Sequence, residues 1–216
     1  MTTLNGPMVP PASGGPAKAI VVLLHGYGSN GDDLIGLVPY WQAALPDVLF
    51  LSPNAPQPCP GVPGGYQWWP LQTLSLAERQ AGARSAGPIL DAFLDGLLAQ
   101  HGLSNDRLAL VGFSQGTMMA LHVGPRRINP LAGVVAYSGM LTDEAGLEAE
   151  IKTRPPVLLV HGDADATLEV GHFHHAKAAL ERLNFDLTAH VSPGLGHGID
   201  AVGLKLGETF LKRVLG

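Results

Sequence analysis

Leu108-Ala109-Leu110-Val111-Gly112-Phe113-Ser114-Gln115-Gly116-Thr117-Met118-Met119-Ala120 is the stretch on which the reading of this chain turns. Its first half is apolar without alternation, the pattern of a strand buried on both faces. Its second half opens a helix. Between them, Gly112, Ser114 and Gly116 spell G-x-S-x-G, the signature of a serine on a sharp strand-to-helix turn. Glycines on either side leave room for neighbouring backbone, and the serine hydroxyl projects above the sheet. The helix N-terminus behind it favours developing negative charge.

The same kind of apolar run recurs on both sides, at 19–25, 48–52, 133–138, 157–161 and 187–191. Periodic stretches fall between the runs. Ile89, Leu90, Phe93, Leu94, Leu97 and Leu98 make one helix face; Leu204, Phe210, Leu211, Val214 and Leu215 make another. Strands alternating with helices predict an α/β fold, a mostly parallel sheet covered on both faces. Residues before Ala19 are a candidate antiparallel edge strand despite their prolines. Residues 53–76 carry six prolines and three glycines and are expected to form no regular element, yet hold Tyr66, Trp68 and Trp69. A long aromatic loop beside strand ends is a functional candidate.

At 216 residues the chain is long enough for one domain with a sizeable core and short for two, so a single domain over 1–216 is expected. Charged residues are 14% of the chain, too few for a disordered or coiled-coil protein. The net charge of −5, with no basic cluster longer than Arg126-Arg127, sets nucleic-acid binding aside. Cys59 is the only cysteine, which excludes an intrachain disulfide and a thiolate metal cluster. The N-terminus lacks the basic and apolar regions of a signal peptide, and the aliphatic run at 19–24 is far short of a membrane span. A cytoplasmic setting is expected.

Gly26-Tyr27-Gly28-Ser29-Asn30-Gly31 matches the dinucleotide fingerprint G-x-G-x-x-G after a strand. The acidic residue that should end the next strand and hold a ribose is missing, since that run ends Leu51-Ser52-Pro53. A nucleotide site is therefore not expected.

A serine nucleophile needs a base, and the base an orienting acid, in the chain order Ser, Asp, His. After the run at 157–160 come Asp163 and Asp165; Asp143 follows the run at 133–138; His197 follows the run at 187–191. Candidates for all three roles thus sit at successive strand ends. Two oxyanion donors are also called for: the amide after the serine, Gln115, and one from the loop after the first long strand, Tyr27. His25 and His161 read as loop braces, and His101, His122 and His190 as structural. His172, His174 and His175 read as a solvated helix start, with no acid at hand to complete a metal set.

Taken together, the segments LLHGYGSNGDD, SPNAPQP, VGFSQG, AYSGML, LLVHGDADATL and GLGHGI resemble the bacterial carboxylesterase and acyl-protein thioesterase family, of phospholipase/carboxylesterase type, in the α/β-hydrolase superfamily. The resemblance spans nearly the whole chain. It implies a minimal α/β-hydrolase with Ser114, Asp165 and His197 as triad, Asp165 being the acid of the pattern H-G-x-x-D. It further implies the Tyr27 and Gln115 amides as oxyanion hole, and no cofactor or metal. The implied partner is a small-molecule or lipid ester, with no nucleic acid and no membrane span; a homodimer is left open. The expected reaction is hydrolysis of carboxylic esters of short to medium acyl chain, with acyl thioesters or lysophospholipids as the alternative. Two departures stand out. Tyr27 replaces a small aliphatic residue, and Tyr66-Gln67-Trp68-Trp69-Pro70 replaces a segment with one Trp, another aromatic and an Asp. Tyr66, Trp68 and Trp69 are accordingly expected to wall the acyl pocket.

Overall fold

The structure, a computed structural model, describes residues 4–216. Seven strands form one sheet in the order β1(Met8–Val9), β3(Val48–Leu51), β2(Ala19–Leu24), β6(Leu108–Phe113), β7(Gly133–Tyr137), β8(Val157–Gly162), β9(Leu187–Ser192). All pairs are parallel except β1 with β3, so the antiparallel edge strand is present. Strand bounds agree with the apolar runs to within a residue. The loop at 53–76 differs from expectation. Gln57–Pro58 (β4) and Tyr66–Gln67 (β5) pair as a short antiparallel hairpin, because the turn residues between them, Gly61 and Gly64 at positive φ, fold that segment back on itself.

Alternate residues of each central strand enter different cores. Ile20, Val22, Leu24, Leu108, Leu110, Val134 and Ala136 face α2(Leu76–His101), α3(Gln115–Val123), α4(Glu144–Glu150) and α5(Gly171–Arg182). Ala19, Val21, Leu23, Ala109, Val111, Val135 and Tyr137 face α6(Ala201–Leu215) and the segment that begins with α1(Gly31–Leu34). Ser75 caps α2 by accepting the Glu78 N–H, and Gly102 at φ 64° ends it; Asp200 caps α6 through the Gly203 N–H. β9, an edge strand, is half exposed.

From β2 the chain moves one way to β3 and then returns past β2 to β6. That reversal makes the C-terminal ends of β2 and β6 a switch point, where neighbouring loops diverge and leave a crevice. Register places Leu24 opposite Gly112, so the residues that follow, His25-Gly26-Tyr27 and Phe113-Ser114, leave the sheet side by side. Among the described residues no helix is long and apolar enough to cross a membrane.

Candidate active site

Ser114 has φ 54° and ψ −117°, a conformation that costs an L-residue on the order of 1–3 kcal/mol. Close packing imposes it. A Cβ on Gly116 would lie 1.8 Å from the Leu24 carbonyl oxygen, and one on Gly112 would lie 2.5 Å from that of Gly116. The turn is pinned from β7, where the Tyr137 carbonyl accepts the Ser114 N–H at 3.0 Å. The Thr117 hydroxyl lies 2.7 Å from that carbonyl and 2.8 Å from Gly112 O. Ser114 therefore sits as N-cap of α3, partly exposed above the sheet.

His197 Nδ1 lies 2.7 Å from Asp165 Oδ2. The other carboxylate oxygen, Oδ1, accepts the Thr167 and Leu168 N–H groups, each at 2.8 Å. Since the carboxylate can only accept, the His197 Nδ1 carries a proton, which in the neutral imidazole makes Nε2 the accepting nitrogen. Burial pushes the Asp165 carboxyl up. The Leu168 amide, His197 and the Thr167 amide together outweigh it and hold the group below the ordinary aspartate value. The imidazole also packs on Phe113, the neighbour of Ser114, with ring centroids 4.9 Å apart. His161 braces the acid's loop: Nε2 lies 2.8 Å from Leu168 O and 3.3 Å from Asp165 Oδ2. The other acids are elsewhere. Asp163 accepts the Gly194 N–H at 2.6 Å and links two loops, and Asp143 caps α4 through the Gly146 N–H.

Around Tyr27, Gly28 N–H donates to Tyr66 O at 2.9 Å and Ser29 N–H to Gly26 O at 3.2 Å. A Cβ on Gly26 would lie 3.2 Å from Ser114 Cβ, so this loop packs tightly against the elbow. The loop that carries Tyr27 thus lies against the serine's turn, and among the described residues neither the Tyr27 nor the Gln115 amide is used in these turn hydrogen bonds. His25 holds the loop from beneath. Its Nε2 accepts the Ala55 N–H at 2.9 Å, so Nδ1 carries the proton and donates to Gly26 O at 2.7 Å. Burial lowers the pKa of this imidazole, against smaller raising effects from Gly26 and Asp33, and so favours its neutral form.

The aromatic loop departs from expectation. Trp68 and Trp69 are 1% and 2% exposed and belong to the core. The reason lies in Gln115, whose side chain sequence reasoning missed. Its Oε1 accepts the Trp68 N–H and its Nε2 donates to Trp69 O, both at 2.9 Å, as a neighbouring strand would. Trp68 Nε1 then donates to His25 O at 3.0 Å, and Trp69 lies against Gly82 of α2, where a Cβ would collide with its ring at 2.2 Å. These tryptophans join the elbow, the Tyr27 loop and α2 and offer no face to a substrate. Tyr66 is partly exposed and lines a cavity of about 400 Å³ with Cys59, Val62 and the glycines of the hairpin turn. The signal for Gln115 was a polar residue at the fully buried start of α3.

His172, His174 and His175 lie in the first turns of α5, with His175 Nε2 3.0 Å from Glu144 on α4. Among the described residues no three His, Cys, Asp or Glu side chains are grouped to hold a metal ion.

Comparison with known proteins finds relatives along nearly the whole chain. A family model described as phospholipase/carboxylesterase matches residues 8–215. An esterase of Escherichia coli strain K12, YpfH, is 31% identical over 186 residues, covering 86% of this chain and 78% of its own. Acyl-protein thioesterase 1 of Neurospora crassa is 27% identical, covering 89% and 85%. The crystal structure of esterase PE8 superposes with a TM-score of 0.95 at 48% identity, covering 99% of this chain and all of the other.

Proposed function

This chain belongs to the phospholipase/carboxylesterase family of ester and thioester hydrolases, and from that premise we propose that it is a serine carboxylesterase acting through an acyl-enzyme on Ser114. The observation that carries the reading is the 2.7 Å contact of His197 Nδ1 with the buried Asp165, because it fixes the tautomer in which the neutral imidazole, packed on Phe113 of the elbow, accepts at Nε2. In this reading Nε2 takes the Ser114 proton as Oγ attacks the acyl carbon, and Asp165 stabilises the imidazolium. The tetrahedral oxyanion rests on the Tyr27 and Gln115 amides at the N-terminus of α3. Collapse passes the proton to the leaving oxygen; water, deprotonated by Nε2, then releases the acid and frees Ser114. Every step draws on groups of this chain.

The substrates proposed are small-molecule or lipid esters of short to medium acyl chain. The Neurospora crassa relative, an acyl-protein thioesterase, favours acyl thioesters as the second reading. A cytoplasmic setting is part of the same proposal. Hydrolysis rates over p-nitrophenyl esters from acetate to dodecanoate, set against acyl-CoA thioesters of the same chain lengths, test the assignment. Esters of two to eight carbons should show the higher kcat/KM; preference for the thioester at every length would replace it with the second reading.

A further inference from the structure

Arg79 stands apart from the other arginines of this chain. The chain has eight arginines, and among the described residues seven donate to an oxygen of a carboxylate, amide or carbonyl. Among the described residues Arg79 donates only to the thioether sulfur of Met140, a weak acceptor, and its buried Nε has no partner there. It also sits in the first turns of α2, whose N-terminal end carries positive partial charge and so repels a cation. Burial lowers the pKa of this guanidinium. Three unfavourable conditions at one residue are not expected of a structural arginine, since an apolar side chain would pack on Met140 without them.

Its position supplies a use. Ser138, Gly139 and Met140 leave the C-terminal end of β7 in sequence. The Ser138 hydroxyl donates to Gly198 O, next to His197, at 3.0 Å, and a Cβ on Gly139 would lie 2.9 Å from Ser114 O. Met140, the next residue, carries Arg79. Three consecutive residues therefore touch the base's loop through the Ser138 side chain, the nucleophile's turn at Gly139 and this arginine through the Met140 side chain. Consecutive Cα atoms are about 3.8 Å apart, so the guanidinium stands one residue and one methionine side chain away from the contact with the nucleophile's turn, a span that a substrate group several bonds beyond its reacting carbonyl would bridge. On the far side stands the N-terminus of α5, which has no side-chain cap and no acid in its first turn. The charge of Arg79 is felt there at His172, whose pKa is lowered first by burial and next by Arg79.

We infer that Arg79 is a specificity residue, binding an anionic oxygen group, carboxylate or phosphate, of an ester or thioester whose acyl carbon is held at Ser114. A guanidinium free of carboxylate partners offers paired N–H donors to such a group. This inference rests on the proposed hydrolysis at Ser114, and the anion can belong to the acyl chain or to the leaving group.

The test is a comparison of charged and neutral esters of matched shape. Mono-p-nitrophenyl glutarate against its methyl ester places the anion on the acyl side; 4-acetoxybenzoate against methyl 4-acetoxybenzoate places it on the leaving side. In the wild type, the charged member of one pair should have the higher kcat/KM, and added NaCl should erode that advantage. Arg79→Gln should lower the charged-to-neutral ratio by about tenfold to a hundredfold, mainly through KM, with Arg79→Lys in between. Both variants should melt no lower than wild type. An advantage for the neutral member in both pairs, insensitive to salt, overturns the inference even if neither variant folds, as does an unchanged ratio in Arg79→Gln. Failure of the wild type to hydrolyse any neutral ester would instead overturn the reading of Ser114.

Discussion

Asp165→Asn leaves the shape of the site almost unchanged and reverses one hydrogen bond. An asparagine amide has one oxygen to place. Directed at the position of Oδ1, it keeps the Thr167 and Leu168 N–H donors, both at 2.8 Å; directed the other way, its NH2 would face those two donors and forfeit both bonds. At about 1–3 kcal/mol for each buried group left unpaired, the first orientation wins decisively. The NH2 group then occupies the place of Oδ2, 2.7 Å from His197 Nδ1, and two donors meet. The imidazole escapes by moving its proton to Nε2, the nitrogen that must be free to accept from Ser114. The expected loss in kcat for p-nitrophenyl acetate is on the order of 10⁴, with KM within a few-fold of wild type. Stability should follow a distinct pattern. The carboxyl is held below its ordinary value, so its charge stabilises the fold above the unfolded pKa of about 3.9, and that contribution is lost as pH falls through the folded value. The variant should therefore melt lower than wild type at pH 7 and the gap should close in acid. A variant that retains a tenth of wild-type kcat would refute the tautomer argument, and Asp163→Asn or Asp143→Asn losing more would refute the choice of acid.

Gln115→Met preserves length but strips both partners from the Trp68 N–H and Trp69 C=O, and should cost about 2–5 kcal/mol in urea denaturation with the m-value unchanged. Gln115→Glu should be no better, because one carboxylate oxygen would face the Trp69 carbonyl; stability within 0.5 kcal/mol of wild type for both variants would show that the clamp is idle. His122 is buried chiefly against charge, with Arg126 and Arg84 adding to the effect, and its pKa falls to about 4. The unfolded chain binds that proton near pH 6.5 and the folded chain refuses it until about 4, so stability should fall by about 3 kcal/mol across this window as pH drops. His122→Gln should remove that part of the slope, and an identical pH profile in the variant would count against it.

The strands were legible because burial on both faces writes an unbroken apolar run, and the elbow because Gly112 and Gly116 are demanded by backbone contacts of 2.5 and 1.8 Å. The meeting of Asp165 with His197 was foreshadowed by their places after β8 and β9, adjacent parallel strands. What stayed hidden was pairing between distant polar groups. Nothing near Trp68 announces that Gln115, 47 positions away, takes its amide, or that its indole donates to His25 O. Without those bonds an aromatic pair on a proline-rich loop reads as a pocket wall. With them it reads as a buried brace, and of the three aromatics Tyr66 is the partly exposed one, on the rim of the hairpin-turn cavity.

The account stands on Ser114 as the atom that becomes acylated, and a fluorophosphonate probe tests it directly. Its phosphorus should bond to Oγ in place of the proton, adding one label per chain in an intact mass spectrum. Peptide mapping should place the label on Ser114 within the segment Gly112-Phe113-Ser114-Gln115-Gly116, and Ser114→Ala should take up none while keeping its melting temperature. Label on any other residue, or label that persists in Ser114→Ala, would contradict the account.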